Sequence, residues 1–120
     1  MTSCLLAKKL NAVEYRTIYV HNDGSPNPML KLLTEHYSCE LKVNELLDLG
    51  SASYITDKLY PDPNRPHNFN SPQPGISMFY GRDIGDTDTE AIIMTLSELK
   101  KTNNDYVYIW DKNCWRLLRR

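Results

Sequence analysis

The run PDPNRPHNFNSPQPG, residues 61–75, holds five of the chain's seven prolines. Each proline fixes φ near −65° and removes a backbone donor, so neither a helix nor a ladder can run through such density. The stretch is predicted to be a long irregular loop. All regular structure must then come from residues 1–60 before it and 76–120 after it. Within one domain of 120 residues, a loop of this length is often functional or mobile.

Before the loop, residues 3–10 (SCLLAKKL) and 13–21 (VEYRTIYVH) read as two strands joined at Asn11-Ala12. In the second run Val13, Tyr15, Thr17, Tyr19 and His21 share one face, and Glu14, Arg16, Ile18, Val20 and Asn22 the other. Neither face is cleanly apolar, which predicts a strand covered on both sides or an aromatic face used for binding. DGSPNP breaks the strand. Asn27 then caps a helix that starts at Pro28 and runs to about Tyr37, with Met29, Leu30, Leu33 and Tyr37 as its apolar stripe. Ser38 is placed to cap a second helix, about 39–49, which buries Leu46 and Leu47 and stops at Gly50. Residues 51–60 are read as a helical turn or an extended bridge.

After the loop, ISMFYGRD (76–83) restores strand chemistry. A helix capped at Thr87 or Asp88 is expected to run to about Lys101, with Ile92, Leu96 and Leu99 inward. YVYIWDKNCWRLLR closes the chain as a hairpin, 105–110 and 114–118. The predicted order is β-β-α-α-β-α-β-β. It describes a single α+β domain over residues 1–120, a mostly antiparallel five-stranded sheet with about three helices on one face.

Composition narrows the function classes. A net charge of −1 argues against direct nucleic-acid binding, which draws on a basic face. Arg116, Arg119 and Arg120 form the one basic cluster and read as a solvated tail. No stretch approaches a membrane span, and MTSCLLAKKL lacks the apolar core of a signal peptide, so a cytoplasmic location is expected. The three cysteines fit neither a disulfide framework nor a zinc site. There is no glycine-rich phosphate loop and no nucleophile motif; no catalytic residue, metal ligand or cofactor is assigned.

Polar candidates cluster at strand ends. His21 and Asp23 follow the second strand; Tyr80, Arg82, Asp83 and Asp86 follow the third; His36 ends a helix and His67 lies in the loop. A histidine serves as acid or base near neutral pH, and an arginine grips an anion through two parallel bonds. His21, Asp23, Tyr80, Arg82 and Asp83 are therefore the candidate ligand set, provided the two turns meet at one polar recess. That recess suits a nucleotide or small-anion binder, or a metal- or His/Asp-dependent hydrolase or nuclease. The eight tyrosines point elsewhere. Tyr15 and Tyr19 on the second strand, with Arg65, His67 and Phe69 in the loop, form a candidate surface for a protein partner. An exposed sheet edge could also pair two copies into a homodimer.

The succession Tyr19-Val-His21-Asn-Asp23-Gly24-Ser-Pro26, Leu32-Leu33-x-x-His36-Tyr37, Lys42-Val43-x-x-Leu46-x-x-Leu49-Gly50 and Tyr80-x-Arg82-Asp83-x-Gly85-Asp86 resembles a family of small phage and prophage proteins of unknown function. The resemblance spans about residues 13–110. Members of that family often read His-Trp-Asp-Gly-Tyr-Pro where this chain has His21-Asn22-Asp23-Gly24-Ser25-Pro26, so both aromatics of that turn are absent here. The resemblance implies a phage origin, not a reaction; together with the absence of a strong catalytic motif it leads to the expectation of a non-enzymatic accessory protein in the cytoplasm of a bacterial host. Such a protein binds and inhibits a host factor, for instance a CRISPR effector or another immune component.

Overall fold

The computed structural model describes all residues, 1–120. The strands are β1 (Cys4–Lys9), β2 (Tyr15–Val20), β3 (Ala52–Tyr54), β4 (Met78–Phe79), β5 (Ile92–Met94), β6 (Tyr106–Asp111) and β7 (Cys114–Leu117). The helices are α1 (Pro26–His36), α2 (Glu40–Asp48) and α3 (Leu96–Lys101), and a wide helical turn covers Tyr80–Ile84. The strands form one sheet in the order β4-β3-β2-β1-β6-β7, with β5 also pairing β2. The α+β class is as expected. The sheet itself is larger than the five strands expected, and it is mixed. β1 runs parallel to β6 and β2 parallel to β3, while the other pairings are antiparallel.

Alternation explains why the sheet is covered twice. Cys4, Leu6, Ile18, Val20, Tyr108 and Trp110 face Met29 and Leu33 of α1 and Val43, Leu46 and Leu47 of α2. Leu5, Ala7, Tyr15, Val107 and Ile109 face the opposite way, against Leu99 of α3. The helices are therefore split between the faces, not gathered on one. β1 is apolar at four successive positions, the pattern of a strand buried on both sides. Polar atoms carried into the larger core are satisfied. The Tyr37 hydroxyl donates to Thr56 O at 2.5 Å, Tyr108 to Gly24 O at 2.7 Å, and the Trp115 indole to Tyr37 O at 2.8 Å.

Two other expectations change. The segment read as one helix from 88 to 101 is a strand, β5, followed by the short α3. Ile92, Leu96 and Leu99 match helical spacing, but Ile92 and Ile93 pair with Thr17 and Arg16 of β2. Asp88 caps nothing and sits in a turn at φ 58°. The helix is started instead by a capping box, Thr95 accepting from Glu98 N and Glu98 from Thr95 N. Ser38 does not cap α2 either. Its hydroxyl donates back to Leu33 O and Thr34 O, closing α1. Gly50 is the left-handed stop expected, at φ 81°, and an added Cβ would lie 2.4 Å from Thr89 O. The β6–β7 hairpin turns through Lys112 and Asn113, both at positive φ, as a two-residue hairpin loop with right-handed twist requires.

Cys4 is fully buried, and burial pushes its thiol from 9.0 up to about 12. Burial also raises the phenols of Tyr37 and Tyr108. An acid held neutral by the fold loses its proton later than in the unfolded chain. Its contribution is complete below about pH 9 and disappears as pH rises toward 12. Thermal melts are expected to lose stability steadily over that alkaline window. At pH 8, DTNB should titrate the exposed Cys39 and Cys114 in the native protein, and Cys4 only after denaturation.

Candidate functional site

The predicted ligand set divides into two groups that do not meet. His21 continues β2: its N–H donates to Ala52 O at 3.0 Å, and its Nδ1 lies 2.5 Å from the Tyr19 hydroxyl. Tyr19 packs with the α3-side cluster. Arg82 lies beyond β4, with its guanidinium 5.0 Å from the ring centre of Phe79, a member of the α1/α2-side core. In the sheet order β3 and β4 stand between the two groups, and the residues these groups pack on, Tyr19 and Phe79, belong to clusters on opposite faces. At the usual strand spacing of about 4.8 Å, they are separated by more than about 10 Å. The common recess of His21 and Asp23 with Arg82 and Asp83 is not formed.

The turn after β2 is a structural corner. Asp23 is exposed at φ 60°. Gly24 donates to Thr2 O and accepts from Tyr108, and it lies so close to β1 that a Cβ would approach Ser3 C at 2.8 Å. The HNDGSP motif thus holds the sheet's first strand in place. Burial, then the nearby Tyr80, raises the Tyr19 phenol, whose hydroxyl shares a hydrogen bond with His21 Nδ1. Tyr80 is half-buried and its N–H donates to Ser51 O at 3.1 Å.

Arg82 and Asp83 do come together, with a partner assigned in the sequence to the surface. Arg82 Nε donates to Asp83 Oδ1 at 2.7 Å and Nη2 to Oδ2 at 3.0 Å, a two-toothed pair. The same guanidinium donates to Leu59 O at 2.6 Å and Ser77 O at 3.1 Å. Asp83 Oδ2 accepts the Phe79 N–H at 2.8 Å. The His67 imidazole closes the group. Its Nδ1 accepts the Gln73 N–H at 3.0 Å, so Nε2 carries the proton and donates to Ser77 O at 2.9 Å. Nε2 also lies 3.6 Å from Asp83 Oδ2. The side chains of His67 and Asp83 are both only 3% exposed.

This arrangement is a clamp. All three nitrogens of the Arg82 guanidinium and both Asp83 oxygens have partners among the protein's own backbone or another member of the clamp. Phe79 N–H and Ser77 C=O are the groups that β4 turns away from β3, and the clamp satisfies both. Gln73, which no sequence signal singled out, extends the clamp into the loop. Its side chain accepts from Asp62 N at 2.8 Å and donates to Asp62 O at 2.9 Å and Arg65 O at 3.1 Å.

Two members of the expected partner surface are therefore internal. Tyr15 is 3% exposed, packed under α3, because the face it shares with Thr17 is buried; His67 is held in the clamp. Tyr19 is half-buried. Arg65 and Phe69 do stand out, with 63% of the Arg65 side chain and 55% of Phe69 exposed. Elsewhere Ile92 and Ile93 are exposed on the edge strand β5. No three or more His, Cys, Asp or Glu side chains converge in a metal-binding arrangement. Comparison of the chain with protein-family models, with curated proteins and with solved structures found no match.

Removing one clamp partner strands the others in a dry site. Asp83→Ala leaves Phe79 N–H unpaired and the guanidinium without its carboxylate, and is expected to cost about 3–5 kcal/mol. His67→Ala leaves Gln73 N–H and Ser77 O unpaired and is expected to cost about 2–4 kcal/mol. Urea unfolding measures both. In His67→Ala, chymotrypsin should also cut after Phe69 at least about tenfold faster than in the wild type, because the loop opens locally.

Proposed function

We propose that the protein works by binding, with the loop 61–75 as its contact surface, and that its partner is a bacterial host protein which it inhibits. The class that fits is a small phage accessory protein of the anti-defence kind, directed at a CRISPR effector or another immune component in the host cytoplasm. The observation that carries the reading is how the loop is built. Gln73 and His67 fix it from within, while Phe69 and Arg65 project outward. Aromatic and arginine side chains are the types that dominate binding hot spots. A loop already held in one conformation loses little entropy on docking. The ordered motifs that resemble the phage family support a host factor as the target. No helix is long and apolar enough to cross a membrane.

The test is capture from bacterial lysate with the immobilised protein. The wild type should retain a stoichiometric protein, and Phe69→Ala with Arg65→Ala should weaken retention by at least about tenfold at unchanged Tm. Ile92→Lys with Ile93→Lys, on the distant strand edge, should retain it. Equal capture by the loop variant, or no stoichiometric partner at all, would overturn the proposal.

A further inference from the structure

Three strands have a side with no neighbouring strand: β4, β7 and β5. Natural sheets blunt such edges with charge, proline or a cover, because an open edge can pair with another chain. The clamp closes β4. Charge guards β7, where Arg116 stands on the strand and Lys112 and Arg119 flank it. Ile92-Ile93-Met94 of β5 carries neither charge nor proline, and Ile92 is 60% and Ile93 51% exposed. Alternation along β2 fixes which backbone groups this edge shows. The N–H groups of Tyr19 and His21 point away from β1, to Ser51 Oγ and Ala52 O. Tyr15 and Thr17 share that parity and so point onto β5, where they stand opposite Met94 and Ile92. The ladder to β2 therefore runs through Ile92 and Met94. The N–H and C=O of Ile93 face outward, and no bond within the chain engages them. The side chain of Ile93, opposite Arg16, lies on the α1/α2 side of the sheet; Ile92 and Met94 lie on the α3 side.

We propose that β5 pairs with β5 of a second copy of this chain, antiparallel about a two-fold axis at Ile93, so that two sheets become one. The axis sets Ile93 opposite itself, and the two residues exchange both N–H···O=C bonds. It sets Ile92 of each copy opposite Met94 of the other. All cross-strand pairs of the three residues are then apolar against apolar. The segment is thus its own complement in hydrogen bonds and in side chains, which selects a second copy over an unrelated strand. The ladder is short. The Thr95 N–H is taken by Glu98, and the chain turns there into α3. Three residues a side bury far less than the roughly 800 Å² per partner of a standard interface, so the dimer is weak, with Kd between about 10 μM and 1 mM. The edge lies apart from the loop 61–75 and uses none of its residues.

Sedimentation of the intact protein, from about 10 μM to about 1 mM, tests the pairing. The average mass of the wild type should climb from that of the monomer toward that of the dimer. Ile93→Pro is the decisive variant. It removes the donor that crosses the two-fold axis, yet leaves the ladder to β2 whole, because that N–H bonds nothing within the chain. It should keep its fold by circular dichroism and weaken association by at least about tenfold. Ile92→Lys with Ile93→Lys keeps the backbone donors and sets like charges across the axis, and should also stay monomeric. Phe69→Ala with Arg65→Ala should associate as the wild type does. A monomer throughout the range would leave the edge to a strand of some other protein and overturn the proposal. So would a dimer that either folded β5 variant leaves equally tight.

Discussion

A two-residue strand at the end of a sheet is a weak element, and the outer edge of β4 is closed around a single buried carboxylate. Asp83 accepts the outward N–H of Phe79 and is paired with Arg82, which also donates to Ser77 O and Leu59 O. An open sheet edge would otherwise expose a backbone donor and acceptor that another chain could claim. Closing it with side chains has a second consequence. The groups that close it come from the turn after β4 and from the loop 61–75, so both segments are fixed by the same contacts. The strand edge and the loop are one mechanical unit.

From that unit the rest of the domain's division of labour follows. The chain between β3 and β4 cannot be regular, because of its prolines, yet His67 and Gln73 give it a defined inner side. Its outer side is then free to present Arg65 and Phe69. The segment leading into the loop is held from one flank by Arg82, which donates to Leu59 O. Arg82, Asp83 and His67 are thus engaged in the scaffold, and Arg65 and Phe69 stand exposed beside them.

How much of this was legible in the sequence depends on the range of the interactions. β1, β2 and the β6–β7 hairpin could be read because alternation and turn chemistry are local signals. The covering of the sheet on both faces was foreshadowed by β2, whose two faces are both mixed. β3 and β4 were not legible as a paired unit: each has two or three residues, and their pairing is decided by partners far along the chain. β5 was misread because Ile92, Leu96 and Leu99 imitate a helix. The local signal against that was present in Thr95-x-x-Glu98, which marks where the helix begins. At the site, the pairing of Arg82 with Asp83 could be expected from adjacency. The burial of His67 could not, because a proline-rich loop is ordinarily exposed and nothing local announces that Gln73 will fold beneath it.

The central claim is that side chains, not a neighbouring strand, secure the edge of the sheet at β4. Native-state hydrogen exchange at the Phe79 amide tests it most directly. If Asp83 holds that N–H as described, its protection should approach that of the β1 amides in the middle of the sheet. Exchange as fast as that of the exposed amides around Phe69 would mean that the edge is open and that no clamp fixes the loop.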